Sequence, residues 1–307
     1  MNWSLPRRLV RGTIRLANWL VDGAVLAAVV MIVCFTAFAV LDNNRVADEA
    51  DVQMFEQYRP EADNTVSFEE LQAQNPDVLG WLTVYGTGID YPLVQGKDND
   101  VYINTNAAGE FALSGSLFLD WHNAPDFTDA STIIYGHHME NSLMFGDLDK
   151  YGDAEYMAQH CYGNLFYEGA DHGVELLGYL QVDAYDNVVY SVTVGESPTV
   201  EEFLDYARDH ATVWRADPDE GDRLLVLSTC GSGTNDRHVV IARICDQTFE
   251  DAFAEEEPDR VERLLSGTAE GLKLGAQIGV GLAVFLLTAW VVGGTGRRGK
   301  RKKNGKE

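Results

Sequence analysis

The sequence predicts a mainly β domain of seven or eight short strands, arranged as a sandwich or closed barrel, with short helices and a membrane-spanning helix on each side. Three observations predict it. Short apolar or alternating runs recur through the middle of the chain, punctuated by Gly, Asn and Asp. One long apolar run lies near each end. Charge is segregated, with basic residues outside the two apolar runs and an acidic excess between them.

The first apolar run, residues 24–41, reads AVLAAVVMIVCFTAFAVL and follows Arg7, Arg8, Arg11 and Arg15. The second, residues 274–292, reads LGAQIGVGLAVFLLTAWVV and precedes Arg297, Arg298, Lys300, Arg301, Lys302, Lys303 and Lys306. Both approach the ~20 apolar residues that cross a bilayer. Basic flanks stay cytoplasmic, so both tails are expected inside and the intervening segment outside. A cleaved signal peptide is the alternative for the first run, because Ala37-Phe38-Ala39 fits a cleavage site. The expected organisation is a basic N-terminus (1–23), a span (24–41), an acidic stalk (42–66), a folded domain (67–250), a linker (251–273), a second span (274–292) and a basic tail (293–307).

The chain carries 23 Lys+Arg against 48 Asp+Glu, a formal net charge of -25. Residues 42–273 hold 12 of those basic side chains and 46 of the acidic ones. Such a surface repels phosphate, which excludes nucleic acid as a partner. It favours solubility and carries no function by itself.

Within the domain, residues 42–64 are polar and acidic and read as a stalk or a loosely packed helix. Ser67-Phe68-Glu69-Glu70 has the form of a capping box and opens a short helix ending near Asn75-Pro76. The strand candidates follow in order: WLTVYG, GSLFLD, STIIYG, VELLGYLQV, VVYSVTV, LLVLST and HVVIARI. A second capping box, Thr199-Val200-Glu201-Glu202, starts a helix with Phe203, Leu204, Ala207 and Ala211 at helical spacing. That helix lies between VVYSVTV and LLVLST.

Chemistry concentrates around LVLSTCGSGTNDRHVVIARI, residues 225–244. Cys230 ends one apolar run and Arg237 stands just ahead of the next. A hairpin would bring the two to one edge. Cys230 reads either as a buried structural cysteine beside a surface arginine or as a nucleophile. A nucleophilic thiol needs a histidine as proton partner and a donor for the oxyanion on the attacked carbonyl. Arg237 can be that donor. Arg243, further along the same run, is the rival, placed away from the cysteine end. His137 and His138 follow STIIYG at a strand end, where functional groups are often displayed. His122, His160, His172, His210 and His238 sit among polar or mixed residues and read as surface residues. No CxxC or HxxxH spacing supports a metal site, and adjacent His residues on a strand point to opposite faces. Outside the spans, Cys161 and Cys245 accompany Cys230, an odd number on the oxidising side that leaves at least one thiol free. Cys161 and Cys245 read as buried free thiols, with a disulfide between them as the alternative.

These blocks resemble the sortases, membrane-anchored cysteine transpeptidases of Gram-positive surfaces. Leu227-Ser228-Thr229-Cys230 is similar to the sortase TLxTC-type motif, and Arg237-His238-Val239-Val240 resembles the arginine strand after it. Tyr135-Gly136-His137-His138-Met139, followed by Met144-Phe145-Gly146-Asp147-Leu148 and Tyr151, resembles the class B block around the catalytic histidine. Residues 75–103 (NPDVLGWLTVYGTGIDYPLVQGKDNDVYI), the SGSLFLD stretch and the helix before the cysteine strand share that likeness. The resemblance covers roughly residues 67–244 and keeps the blocks in the family's order. It implies a closed sortase-type β-barrel, which here lies between the two apolar runs. It implies Cys230 as nucleophile, His137 as general acid/base, Arg237 as oxyanion or substrate-orienting group, and Ser228 and Thr229 along the substrate groove. His138, where such sequences often have Asn, receives no role.

The implied reaction cleaves a C-terminal sorting signal on a secreted protein. It then joins the new carboxyl to an amine of a peptidoglycan precursor or of a pilin. Acyl transfer of this kind needs no cofactor and no metal. The implied partners are the signal-bearing proteins, the amine acceptor and the membrane. One departure stands out: a C-terminal span is more usual in class C enzymes, yet no DPW- or DPF-like lid motif precedes the barrel. The second span also mimics a sorting signal, but Leu264-Leu265-Ser266-Gly267-Thr268 before it contains no proline and no LPxTG-like motif. Two other readings remain open here. An L,D-transpeptidase would carry an SHGC-type motif where this chain has Ser228-Thr229 before Cys230. A non-catalytic scaffold with a sortase-like barrel would have no need of Cys230, His137 and Arg237 together.

Overall fold

A computed structural model describes residues 7–50, 53–60, 66–230 and 235–254. The chain divides into two units, Met1–Phe253 and Ala254–Glu307, and only Ala254 of the second is among the described residues. The apolar run expected at 274–292 and the basic tail lie outside them.

Helix α1 (Arg7–Ala50) runs 44 residues without a proline. Its segment Arg15–Ala39 has a mean hydropathy of 2.4 and is long and apolar enough to cross a membrane. The helix continues through the acidic stretch to Ala50, which is buried and whose carbonyl accepts a hydrogen bond from Tyr91 Oη at 2.9 Å. A short helix α2 (Gln53–Glu56) then buries Phe55. Helix α3 (Val66–Gln74) begins one residue before Ser67. Ser67 therefore lies in its first turn rather than at the cap position expected of it.

Nine strands follow: β1 (Val78–Val84), β2 (Asp90–Val94), β3 (Leu117–Leu119), β4 (Ser131–Tyr135), β5 (Tyr162–Tyr167), β6 (Ala170–Asp183), β7 (Ala211–Trp214), β8 (Arg223–Cys230) and β9 (Asp236–Cys245). Helix α4 (Ala154–Gln159) precedes β5, and helix α5 (Val200–His210) separates β6 from β7. The strands run in the order β5-β1-β2-β3-β4-β8-β9-β6, and β6 pairs back to β5, so eight strands close a barrel. Strand β6 is 14 residues long because one edge serves two partners: residues 170–175 pair with β5, and residues 178–180 pair with β7. Its other edge takes β9. Closure removes the exposed edge that an open sheet would offer to other chains.

Strands β8 and β9 are apolar on both faces because both faces are covered. Leu225, Leu227, Val240 and Ala242 point into the barrel with Leu82, Leu93 and Leu165. Leu224, Val226, Val239 and Ile241 point outward against Phe203 and Ala207 of α5. Full burial of each such Leu, Val or Ile side chain contributes about 1.5–3 kcal/mol. A third cluster lies under α3, where Phe68 and Leu71 meet Trp81, Phe118 and Phe166. The Thr199 capping box forms as expected: Glu202 N donates to Thr199 Oγ1 at 3.2 Å, and Thr199 N donates to Glu202 Oε2 at 2.9 Å.

The run VVYSVTV, residues 188–194, is not a strand. It is a series of turns that buries Val189 and Val194 against the outer face of β8 and β9. Conversely, β2, β5 and β7 form where the sequence had offered no strand candidate.

Candidate active site

The parallel pair β4–β8 sets Tyr135 beside Ser228, and Gly136 N donates to Ser228 O at 3.2 Å. The antiparallel pair β8–β9 sets Cys230 opposite Arg237 and Thr229 opposite His238. Three chain ends thus converge: the residues after β4, the end of β8 and the start of β9. Beside them opens a groove of about 440 Å³, within the usual range for ligand sites. Gly136, His137, Ser228, Thr229 and Arg237 line it, together with Asn99, Asp100, Ile103, Phe118, Tyr135, Ala184 and Tyr190. The side chain of Cys230 and residues 231–234 lie outside the described residues.

His137 is half-buried, and its Nε2 stands 2.8 Å from the Ile103 carbonyl oxygen. Gly136 before it has no room for a side chain: a Cβ there would collide with Leu117 and Phe145. The main chain at His137 is tied in turn by Phe145 N, which donates to His137 O at 3.0 Å. His138 points elsewhere, toward Asp149 and His238.

Arg237 and Arg243 share β9 but not an environment. Arg237 donates to the Asp236 carbonyl at 2.9 Å, and no carboxylate pairs with it among the described residues. Arg243 sits opposite Leu224 at the far end of the strand pair. It is saturated there by Glu175 (2.6 Å), Asp222 (2.6 Å) and Asp219 (2.8 Å), and Arg215 grips the same Glu175. Of the two, Arg237 is the guanidinium with donors to spare.

Ser228 is buried, with its Oγ 2.8 Å from Tyr190 Oη. Thr229 is buried too, and its hydroxyl has no hydrogen-bond partner among the described residues. A carboxylate behind the groove wall organises two of the lining residues. Buried Asp120 accepts from Asn99 Nδ2 at 2.8 Å and from Tyr135 Oη at 3.1 Å. Desolvation pushes the Asp120 carboxyl up, but donors from His122, Asn99 and Tyr135 outweigh it and hold it below the usual carboxylate range. Burial, then the charge of Asp120, raises Tyr135, so that phenol stays protonated.

His238, expected at the surface, is buried at 8% exposure, and Tyr179 Oη lies 2.5 Å from its Nδ1. Cys161 is buried and Cys245 half-buried, and both are free thiols. Burial raises both of them, which keeps them protonated at neutral pH. The groove residues Asn99, Ile103 and Tyr190 escaped notice in the sequence. Tyr190 lay inside the run read as a strand, and the other two sit on a connection that only the fold brings to His137.

A family model described as the sortase domain matches residues 82–245. Sortase B of Listeria monocytogenes is 37% identical over 165 residues, which cover 52% of this chain and 65% of that protein. The chain thus spans just under two thirds of that relative's length. Among solved structures, the sortase B from the type II pilus of Streptococcus pneumoniae is 44% identical, with a TM-score of 0.51, over 59% of this chain and 99% of the other. A Streptococcus pyogenes class B sortase involved in pilus biogenesis is 35% identical, with a TM-score of 0.55, over 58% and 98%.

Proposed function

From the premise that this chain belongs to the sortase family, we propose that it is a class B-like cysteine transpeptidase with Cys230 as nucleophile, His137 as general acid/base and Arg237 as oxyanion donor. The observation that carries this reading is the pairing of Cys230 with Arg237 at the mouth of a groove that His137 also lines.

Cys230 gives its thiol proton to His137, and Sγ attacks the carbonyl carbon of a peptide bond in the sorting signal. Arg237 donates to the oxyanion that forms, a role that suits a guanidinium paired with no carboxylate among the described residues. The C–N bond breaks, His137 returns the proton to the departing amine, and a thioacyl-enzyme remains. An acceptor amine then attacks the thioester and loses a proton to His137. The C–S bond breaks, and the thiolate regains a proton. No electrons are transferred and no cofactor enters the balance. The groove holds the signal, with Ser228 and Thr229 along its floor.

The acceptor is an amine of a peptidoglycan precursor or a pilin lysine. Two relatives described as pilus sortases support the pilin lysine. The membrane segment of α1 and the run at 274–292 would hold the barrel on the outer surface, with both basic tails cytoplasmic.

The test uses the full chain with a sorting-signal peptide and an amine acceptor. Cys230→Ala should abolish both thioacyl-enzyme capture and ligation. His137→Ala should cost roughly 10²–10⁴ and Arg237→Ala roughly 10²–10³ in kcat. Ligation by Cys230→Ala at close to the native rate would end the enzyme reading.

A further inference from the structure

The His137 imidazole is held by a group that only accepts. A carbonyl oxygen has no hydrogen to give, so the 2.8 Å contact between His137 Nε2 and Ile103 O requires Nε2 to donate. This is true of the neutral ring and of the imidazolium alike. We propose that the Ile103 carbonyl is the positioning group for His137, keeping a proton on Nε2 and leaving Nδ1 as the nitrogen that exchanges protons with the thiol and the two amines. The proposal rests on the reading of His137 as the acid/base.

The carbonyl is itself firmly placed. Ile103 closes the short 3₁₀ turn Val101–Ile103. Tyr102 within that turn is buried. Its hydroxyl donates to Asp77 Oδ2 at 2.8 Å and accepts from Asn75 Nδ2 at 2.9 Å. Ser116 N donates to Tyr102 O at 3.1 Å. No main-chain donor reaches Ile103 O among the described residues, so His137 satisfies an otherwise unpaired acceptor. Gly115 lies against the same turn at a φ of +60°, and a Cβ there would come within 2.5 Å of Ile103 O and 2.6 Å of Tyr102 O. The turn, its tyrosine anchor and Gly115 together fix which imidazole nitrogen faces the chemistry.

In each half-reaction the same atom serves. Nδ1 takes the thiol proton as the C–S bond forms and gives it to the amine leaving as the C–N bond breaks. In the second half it takes a proton from the attacking amine as the thiolate departs. The Nε2 proton stays where it is throughout.

The experiment is nitrogen NMR on the full chain in detergent micelles with ¹⁵N-labelled histidine, assigned by the signals that vanish in His137→Gln. With the ring neutral, His137 should show a protonated Nε2, with an N–H proton slow to exchange, and a bare Nδ1. Gly115→Ala should displace the carbonyl, speed exchange of that proton and mix the two tautomers. It should lower kcat roughly tenfold or more while KM stays within about twofold. Tyr102→Phe, which keeps the buried ring, should move the same signals and kcat in the same direction. A His137 protonated on Nδ1 in the native chain would overturn the proposal. So would a Gly115→Ala protein, folded by its melting curve, that keeps the native N–H signal and kcat. If Gly115→Ala does not fold, the native spectrum and Tyr102→Phe decide. Ligation surviving in His137→Ala would remove the acid/base reading, whereas the tautomer signal would still report whether the Ile103 bond exists.

Discussion

His238 sits at the junction of packing and chemistry, between Arg237 and the barrel interior. Burial holds its imidazole below the ordinary histidine range. Asp149 and Asp236 pull it upward, and His138 pushes it further down. Tyr179 is raised to about 12, by burial first and Asp149 next, so its hydroxyl is protonated where it meets Nδ1 of His238 at 2.5 Å. Above the unfolded value of about 6.5, both states are neutral and the stabilisation is fully present. As pH falls from there through the depressed folded value, the unfolded chain binds the proton first and stability is lost. Denaturant titrations between pH 7.5 and pH 5 should show stability falling toward acid, with a shallower slope in His238→Gln. Equal slopes would remove His238 as the source. This window lies above the range in which carboxylates titrate. The candidate site was legible in part. Cys230, His137 and Arg237 stood at the ends of apolar runs, which the eye can find. His238 looked exposed because Arg237 and Asp236 precede it. Only the alternation of β9, which turns it inward with Val240 and Ala242, reveals its burial.

Helix α5 shows how an element can be read from sequence when the signal is local. Thr199 and Glu202 satisfy each other's main-chain amides, and Phe203 and Ala207 bury one face against β8 and β9. The helix backs the strand that carries Ser228 and Cys230, so its cap bears on the site at one remove. Thr199→Ala should lower stability by about 1 kcal/mol, seen as a drop in denaturation midpoint with an unchanged slope. A midpoint unmoved by Thr199→Ala would show that packing alone holds the helix end. The strands were less legible because their partners are distant. Val188–Val194 alternates like a strand, yet hydrophobic alternation reports burial, not pairing, and the chain buries Val189 and Val194 by turning. Strand β2 contains Pro92 and begins at Asp90, both poor strand signals. Strand β5 includes Gly163 for a reason visible only in three dimensions: a Cβ there would collide with the Thr83 carbonyl of β1.

At the scale of the whole molecule, charge and hydropathy make one argument about orientation. The segment 42–273 carries 12 basic side chains against 46 acidic ones, and 11 further basic residues lie beyond the two apolar runs. A positive-inside distribution of this kind supports the proposal that the tails are cytoplasmic and the barrel lies on the outer surface. Helix α1 links the two parts without a break from Arg15–Ala39 to Ala50. Eleven residues at ~1.5 Å each put the barrel contact at Tyr91 roughly 16 Å beyond the end of the apolar segment. That is a short tether, and its last residue is seated in the barrel's own core cluster. Protease added to intact cells should therefore remove an epitope placed in the Gly169 turn between β5 and β6, while sparing a tag placed after Lys303. Loss of that tag to external protease would refute the two-span arrangement. Release of the barrel into the medium without protease would instead point to cleavage of the first segment as a signal peptide, together with loss of the second anchor.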